Sequence, residues 1–203
     1  GIEIESFQKR YYPLGEQAAA LIGFSGRDGF GLEGLENILD SELSGVPGKE
    51  TIFRNASRRP KVTQEPVQGL DKKLTIDSRI QFYAYKHLSS YVEANNANGG
   101  SVVVLDNISG EILAIASYPS YNPNSPQRKI KRNRALIDAF EPGSIIKPLA
   151  IAKGIDMGIL SSDQLIDTSP GFIKLSGKKV SDPKNYSNLT VREVIAKSSQ
   201  VGA

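Results

Sequence analysis

Phe140-Glu141-Pro142-Gly143-Ser144-Ile145-Ile146-Lys147-Pro148 sets a Pro-Gly turn ahead of a serine and a lysine three residues apart, at the head of an apolar segment. The segment reads as a helix opening around Ser144 and running to about Met157, with Gly158 as its stop. Positions i and i+3 share a helix face. A lysine held there in a mostly dehydrated site loses affinity for its proton and can accept one from the serine, so no histidine is needed to activate the nucleophile. Gly143 allows close backbone approach, and the helix N-terminus offers free N–H groups where an oxyanion would form. Pro148 in the first turn costs the helix little. The bare Ser-x-x-Lys spacing is not selective, because Ser6 and Lys9, Ser176 and Lys179, and Ser181 and Lys184 satisfy it as well. Context singles out Ser144, and on the residues alone an ordinary helix cap with a surface lysine remains the alternative.

Upstream, Ser101–Asp106 and Glu111–Tyr118 are β-rich runs about the turn cluster Asn107-Ile108-Ser109-Gly110, which predicts a hairpin. Before it, Leu74-Thr75-Ile76 reads as a short strand. Asp77 reads as the N-cap of a helix carrying Ile80, Ala84, Leu88 and Tyr91 on one face. Residues 1 to about 66 are glycine-rich and irregular, with one helix expected from Leu32 to Leu43. The basic stretch from Arg54 to Pro66 reads as a connection, placing a domain boundary near Val67. A polar loop from Pro119 to Arg134 follows the hairpin, and Thr190-Val191-Arg192-Glu193 is a capping box opening a last helix that runs into Lys197-Ser198-Ser199-Gln200. Strands mixed with helices give an α+β chain.

Composition narrows the chemistry. The 203 residues contain no cysteine, which removes disulfides, zinc-thiolate sites and a cysteine nucleophile. His87 is the only histidine, so histidine triads and multi-histidine metal sites fall away, and a partly buried structural place in its helix is expected for it. Neither a metal nor a cofactor is expected. The net charge of +3 is a mild excess. Its two clusters, Arg54, Arg58, Arg59 and Lys61, then Arg128, Lys129, Lys131, Arg132 and Arg134, lack interleaved aromatics and argue against a nucleic-acid partner. Arg134 is expected to be structural. Asp106 and Asp167 show no paired-carboxylate spacing, and Phe24–Gly34 lacks the lysine of a phosphate loop.

The stretch Phe140–Pro148 resembles the active-serine motif of class B penicillin-binding proteins, the peptidoglycan D,D-transpeptidases. Further similarities run in order along the chain: Arg10-Tyr11-Tyr12-Pro13, Gly31-Leu32-Glu33-Gly34-Leu35-Glu36, Leu74-Thr75-Ile76-Asp77, Val104-Leu105-Asp106, Gly110-Glu111-Ile112-Leu113-Ala114, Tyr121-Asn122-Pro123-Asn124 and Asn133-Arg134-Ala135. They are most similar to the division-specific (FtsI) type. The resemblance implies a penicillin-binding, serine β-lactamase-like fold. Residues 1–66 would be part of a non-catalytic pedestal that docks partners, and residues 67–203 the first half of the transpeptidase domain. It implies that Ser144 is the nucleophile, acylated by the D-Ala-D-Ala end of a stem peptide, and that Lys147 is its base. Ser198 aligns with the serine of the family's Ser-x-Asn motif as proton relay and substrate contact. At position 200 the family has asparagine, so Gln200, with one more methylene, takes the substrate-binding amide's place.

The partners implied are peptidoglycan stem peptides, β-lactam antibiotics and divisome membrane proteins including the septal glycosyltransferase. The full-length protein would sit at the periplasmic face of the bacterial inner membrane on an anchor that this chain lacks. No Lys-Thr-Gly or Lys-Ser-Gly third motif occurs. The chain is therefore expected to be an incomplete fragment, inactive alone. The rivals are a serine β-lactamase or D,D-carboxypeptidase using water as acceptor, and a penicillin-binding sensor or inactive scaffold.

Overall fold

The structure, a computed structural model, describes residues 9–52, 60–126 and 129–203. Its contacts divide the chain into two compact units, Gly1–Asp138 and Ala139–Ala203, and its mixture of helices with antiparallel strand pairs is the α+β class expected.

The first unit runs α1 (Ala19–Ile22), β1 (Phe24–Ser25), β2 (Gly31–Glu33), α2 (Gly34–Ile38), α3 (Asp40–Leu43), β3 (Lys49–Ile52), β4 (Pro60–Gln64), α4 (Ser78–Ala94), β5 (Gly100–Leu105), β6 (Ile112–Tyr118) and α5 (Arg134–Ile137). The β5–β6 hairpin is where its alternating sequence puts it, in register from Gly100 opposite Tyr118 to Leu105 opposite Ile112. Its turn is closed by the Asp106 carboxylate, which accepts from the N–H groups of Ile108 (2.9 Å) and Ser109 (2.8 Å). Asp77 caps α4 by accepting from the N–H groups of Arg79 and Ile80. Leu88 and Val92 of α4 pack on Ala116 of β6 to form a core.

Several expectations are corrected here. Leu74-Thr75-Ile76 is not a strand. It is held beside β6 by two hydrogen bonds, Thr75 Oγ1 to the Ile112 carbonyl (2.6 Å) and Asp77 N–H to the Leu113 carbonyl (2.9 Å), before the cap turns the chain into α4. The buried face of α4 is Gln81, Leu88 and Val92, while Tyr91 is 73% exposed. Gln81 is buried because its amide reads the β6 backbone as a neighbouring strand would. It accepts from Ile115 N–H (2.8 Å) and donates to the Ile115 carbonyl (3.0 Å) and the Gln17 carbonyl (2.6 Å). His87 is exposed rather than partly buried, stacked on Tyr83.

The helix expected over Leu32–Leu43 is a strand and two short helices. The Asp40 carboxylate reaches back to the N–H of Gly31 (2.7 Å) and breaks the run at Leu39. The apolar spacing misleads there, since Ile38 is 74% exposed and the buried residue is Glu36, paired with Arg10 at 2.8 Å. In the stretch expected to be a connection, Pro60–Gln64 is strand β4, paired with β3. Arg54, Arg58 and Arg59 lie outside the described residues, as does Arg128. Val67, where the boundary is expected, bridges to Val46.

Within Phe24–Gly34, two glycines serve packing: a Cβ on Gly31 would fall 2.0 Å from the Glu36 carbonyl oxygen, and one on Gly34, at φ +60°, 2.5 Å from the Leu21 carbonyl oxygen. Two motifs over a hundred residues apart also meet. Tyr12 N–H donates to Asn124 Oδ1 and Asn124 Nδ2 donates to the Tyr12 carbonyl, both at 3.0 Å, while the Tyr121 hydroxyl donates to the Ala19 carbonyl at 3.0 Å.

The second unit opens with a 3-10 turn (Gly143–Ile146) leading into α6 (Lys147–Asp156), followed by β7 (Leu165–Asp167), β8 (Phe172–Leu175), β9 (Lys178–Ser181), β10 (Asn188–Thr190) and α7 (Val191–Ala196). β7 pairs with β10, and β8 with β9. Ile151 of α6 packs with Leu189, Val191 and Val194, so one small core fixes α6 against α7. The capping box of α7 is present: Thr190 Oγ1 accepts from Glu193 N–H (3.2 Å) and Thr190 N–H donates to Glu193 Oε2 (2.9 Å). These bonds and Lys197 hold the Glu193 carboxyl down at about 2.

Candidate active site

Two helix ends build the site. Ser144 sits exposed in the 3-10 turn, one turn ahead of Lys147, which opens α6 with Pro148 beside it in the first turn. A proline fits there because the first-turn N–H groups have no partner within the helix. Gly143 adopts φ +57°, which a residue with a Cβ resists, and this turns the chain sharply into the motif.

From the other side comes the C-terminus of α7. Lys147 Nζ donates to the Ser198 carbonyl at 2.6 Å and to Ser198 Oγ at 3.2 Å, joining residues 51 apart in sequence. The contact satisfies a carbonyl just past the helix end. Among the described residues the Ser144 hydroxyl makes no hydrogen bond. The structure thus brings Lys147 and Ser198 together directly, with Ser144 one helical turn from Lys147. The side chain of Gln200 is exposed, and its amide makes no hydrogen bond among the described residues.

Ser198 occupies an unusual backbone position. Its N–H donates to the Ile195 carbonyl and that of Ser199 to the Val194 carbonyl, both at 3.0 Å, a Schellman ending whose left-handed residue is usually glycine. α6 ends the same way: Gly158 N–H reaches the Ile155 carbonyl and Ile159 N–H the Gly154 carbonyl, with Gly158 at φ +70°. Where α6 has glycine, α7 has serine at φ +51°. The Cβ crowding there costs about 1 kcal/mol, and the hydroxyl it carries is the one on Lys147. Ser198→Gly is therefore expected to raise stability by about 1 kcal/mol, or about 3 °C in Tm, while removing that hydroxyl. A fall in Tm in thermal unfolding would contradict the strain.

Sequence reading missed what holds this loop. Asp182, 8% exposed, accepts from Ser199 Oγ (2.6 Å) and from the N–H groups of Gln200 (2.5 Å) and Val201 (3.2 Å). Ser199 in turn accepts from Gly202 N–H at 2.9 Å. Burial pushes the Asp182 carboxyl up, but the three hydrogen bonds and the nearby Lys147 charge outweigh it and hold the group below the usual carboxylate range. A signal was present, since Asp182 is the only acidic residue between Gly171 and Ser187, amid four lysines.

The rival Ser-x-x-Lys pairs lack such a setting. Ser176 and Lys179 lie in the β8–β9 hairpin, Ser181 closes β9, and Ser6 is outside the described residues. Arg134 is structural: with Arg132 it grips Asp138, its own pairing at 2.8 Å. Asp167 caps a turn by accepting from Ser169 N–H at 2.8 Å. Among the described residues no group of three or more His, Cys, Asp or Glu side chains is placed to hold a metal ion.

Residues 100–203 match the penicillin binding protein transpeptidase domain. The chain belongs to that family. The family read from Phe140–Pro148 is thus the one found. Among relatives of this transpeptidase chain, the probable peptidoglycan D,D-transpeptidase PenA of Neisseria meningitidis is 42% identical over 96% of this chain and 35% of its own length. The peptidoglycan D,D-transpeptidase FtsI of Escherichia coli is 36% identical over 100% of this chain and 35% of its own length. Penicillin binding protein 3 of Mycobacterium tuberculosis, solved in its apo form, superposes with a TM-score of 0.78 and 33% identity over 95% of this chain and 42% of its own. The same protein has been solved complexed with ampicillin, with a TM-score of 0.79. This transpeptidase chain spans about a third of the length of the curated relatives it matches.

Proposed function

We propose that this chain supplies part of a serine-type peptidoglycan D,D-transpeptidase of the division-specific type. Ser144 Oγ attacks the carbonyl carbon of the penultimate D-alanine of a stem peptide. The C–N bond to the terminal D-alanine breaks, and an ester joins the peptide to Ser144. The Ser144 proton passes to Lys147 and, through the Ser198 hydroxyl, reaches the nitrogen of the departing D-alanine. An amine from a second stem peptide then attacks the ester, forming the cross-link and returning the serine to its resting state. Gln200 holds a substrate amide. Penicillins acylate the same serine and stay there.

One observation carries this reading: Lys147 Nζ lies 2.6 Å from the Ser198 carbonyl and 3.2 Å from its hydroxyl. A surface lysine beside an ordinary helix cap has no reason to join these two distant motifs. In this reading residues 1–66 belong to a pedestal that docks divisome membrane proteins, among them the septal glycosyltransferase, and residues 67–203 begin the catalytic domain. The full-length protein works at the periplasmic face of the inner membrane. No helix among the described residues is long and apolar enough to cross a bilayer, so the proposed anchor is outside them.

The test is intact-mass spectrometry of the full-length protein after incubation with a penicillin, followed by peptide mapping. A stoichiometric, slowly released adduct on Ser144 is expected. Rapid turnover of the β-lactam would favour the hydrolase reading, and no adduct would favour an inactive scaffold.

A further inference from the structure

The β8–β9 hairpin carries a charge pattern that the chemistry at Ser144 does not use. Ser176 and Gly177 form its two-residue turn with φ of +47° and +79°, a type I′ geometry whose twist suits a tight hairpin. Such a turn closes on a hydrogen-bonded pair, here Leu175 and Lys178, and pairs then alternate along the ladder. Asp182 N–H donating to the Gly171 carbonyl at 2.9 Å, four pairs on, keeps that phase. Lys174 and Lys179 are therefore a non-hydrogen-bonded pair, the kind whose side chains approach most closely.

Two ammonium groups set directly across a hairpin repel. Lys174, Lys178 and Lys179 are exposed, and none has a carboxylate within ion-pairing distance among the described residues. Lys179 instead lies over the Phe172 ring at 4.3 Å. Among the described residues the sheet has only these two strands, so each keeps an unpaired edge there. By the same phase, the outward main-chain groups of β9 belong to Lys179 and Ser181. Lysines on an open edge keep out neutral and basic strands. They attract an acidic one, and that difference gives selectivity.

We propose that the outer edge of β9 is a docking site for an extended acidic peptide segment of a partner protein, added as a third strand with its carboxylates on the face that carries Lys179 and Lys174. Main-chain pairing gives the register and the lysines select the charge. The edge ends one residue before Asp182, so an added strand would stiffen the chain that anchors the Ser198–Gln200 loop. The inference is independent of the reaction proposed above, because it concerns binding to a different element.

The test is fluorescence anisotropy of the full-length protein with a labelled nine-residue peptide alternating Glu and Val. Binding that falls with salt is expected, weakened about tenfold by Lys179→Glu and about tenfold when alternate peptide nitrogens are methylated. Lys179→Glu also replaces a repulsive cross-strand pair by an attractive one, so its Tm should hold or rise, which separates lost binding from lost folding. Unchanged affinity in Lys179→Glu would overturn the proposal. So would equal binding of the methylated peptide, or tighter binding of single-stranded DNA or of vesicles rich in anionic lipid.

Discussion

In the full-length protein, Ser144→Ala is expected to abolish covalent labelling by a penicillin, and Lys147→Ala to slow labelling by about 10²–10⁴-fold, the range that a positioned general base supplies. The two variants fail for different reasons. Without Ser144 there is no oxygen to form the ester. Without Lys147 the hydroxyl remains but keeps its proton, and the Ser198 hydroxyl loses its neighbour at 3.2 Å. Neither change touches the small core of Ile151, Leu189, Val191 and Val194, so both variants should unfold at nearly the parental temperature. The rate is read by mass spectrometry at several penicillin concentrations, which separates the acylation step from initial binding. Labelling of Ser144→Ala at another residue would remove Ser144 as the nucleophile, and a Lys147→Ala rate within a factor of two of the parent would remove Lys147 as the base.

Asp182→Ala gives the second large effect, this time on stability first. The substitution leaves the Ser199 hydroxyl and the N–H groups of Gln200 and Val201 without their shared acceptor in a buried place. Hydrogen bonds to a charged group are worth about 1.5–3 kcal/mol each, so a loss of about 3 kcal/mol is a conservative expectation. Acylation falls as well, by about 10²-fold, because small displacements of a positioned group are costly in rate. Asp182→Asn keeps one acceptor oxygen and should fall between. The pH dependence has a definite sign. The folded carboxyl titrates below its unfolded value, so its stabilisation is fully present above the ordinary aspartate range near pH 4 and is lost as pH falls through the folded value. Asp182→Ala should lose that acid-side component of the stability profile. An unchanged profile, or an unchanged Tm, would show that the carboxylate holds nothing.

Sequence carried the local structure well where a single strong rule applied. The Asp77 cap, the Thr190–Glu193 capping box, the β5–β6 hairpin and the Gly158 stop each depend on neighbours within a few residues, and all are present. It failed where a distant group overrode local spacing. Leu32, Leu35, Ile38 and Leu43 look helical together, but Asp40 bonds back to Gly31 and Arg10 draws Glu36 inward. Gln81 could not be read as a buried residue, because its partner is the backbone of Ile115, 34 positions away. Of the proposed site, Ser144 and Lys147 stood out by the context of their motif, and Ser198 only through the family resemblance. Asp182 showed only as a lone acid among lysines, since its role exists only when β9 and the end of α7 lie side by side.

The two matching helix ends, one closed by Gly158 and the other by Ser198, also bear on how this protein would respond to laboratory evolution. A library screened for heat resistance alone should enrich Ser198→Gly early, because glycine is the residue that the backbone there prefers. The same survivors would lose the hydroxyl beside Lys147, so thermal selection and antibiotic-capture selection should pull that codon in opposite directions.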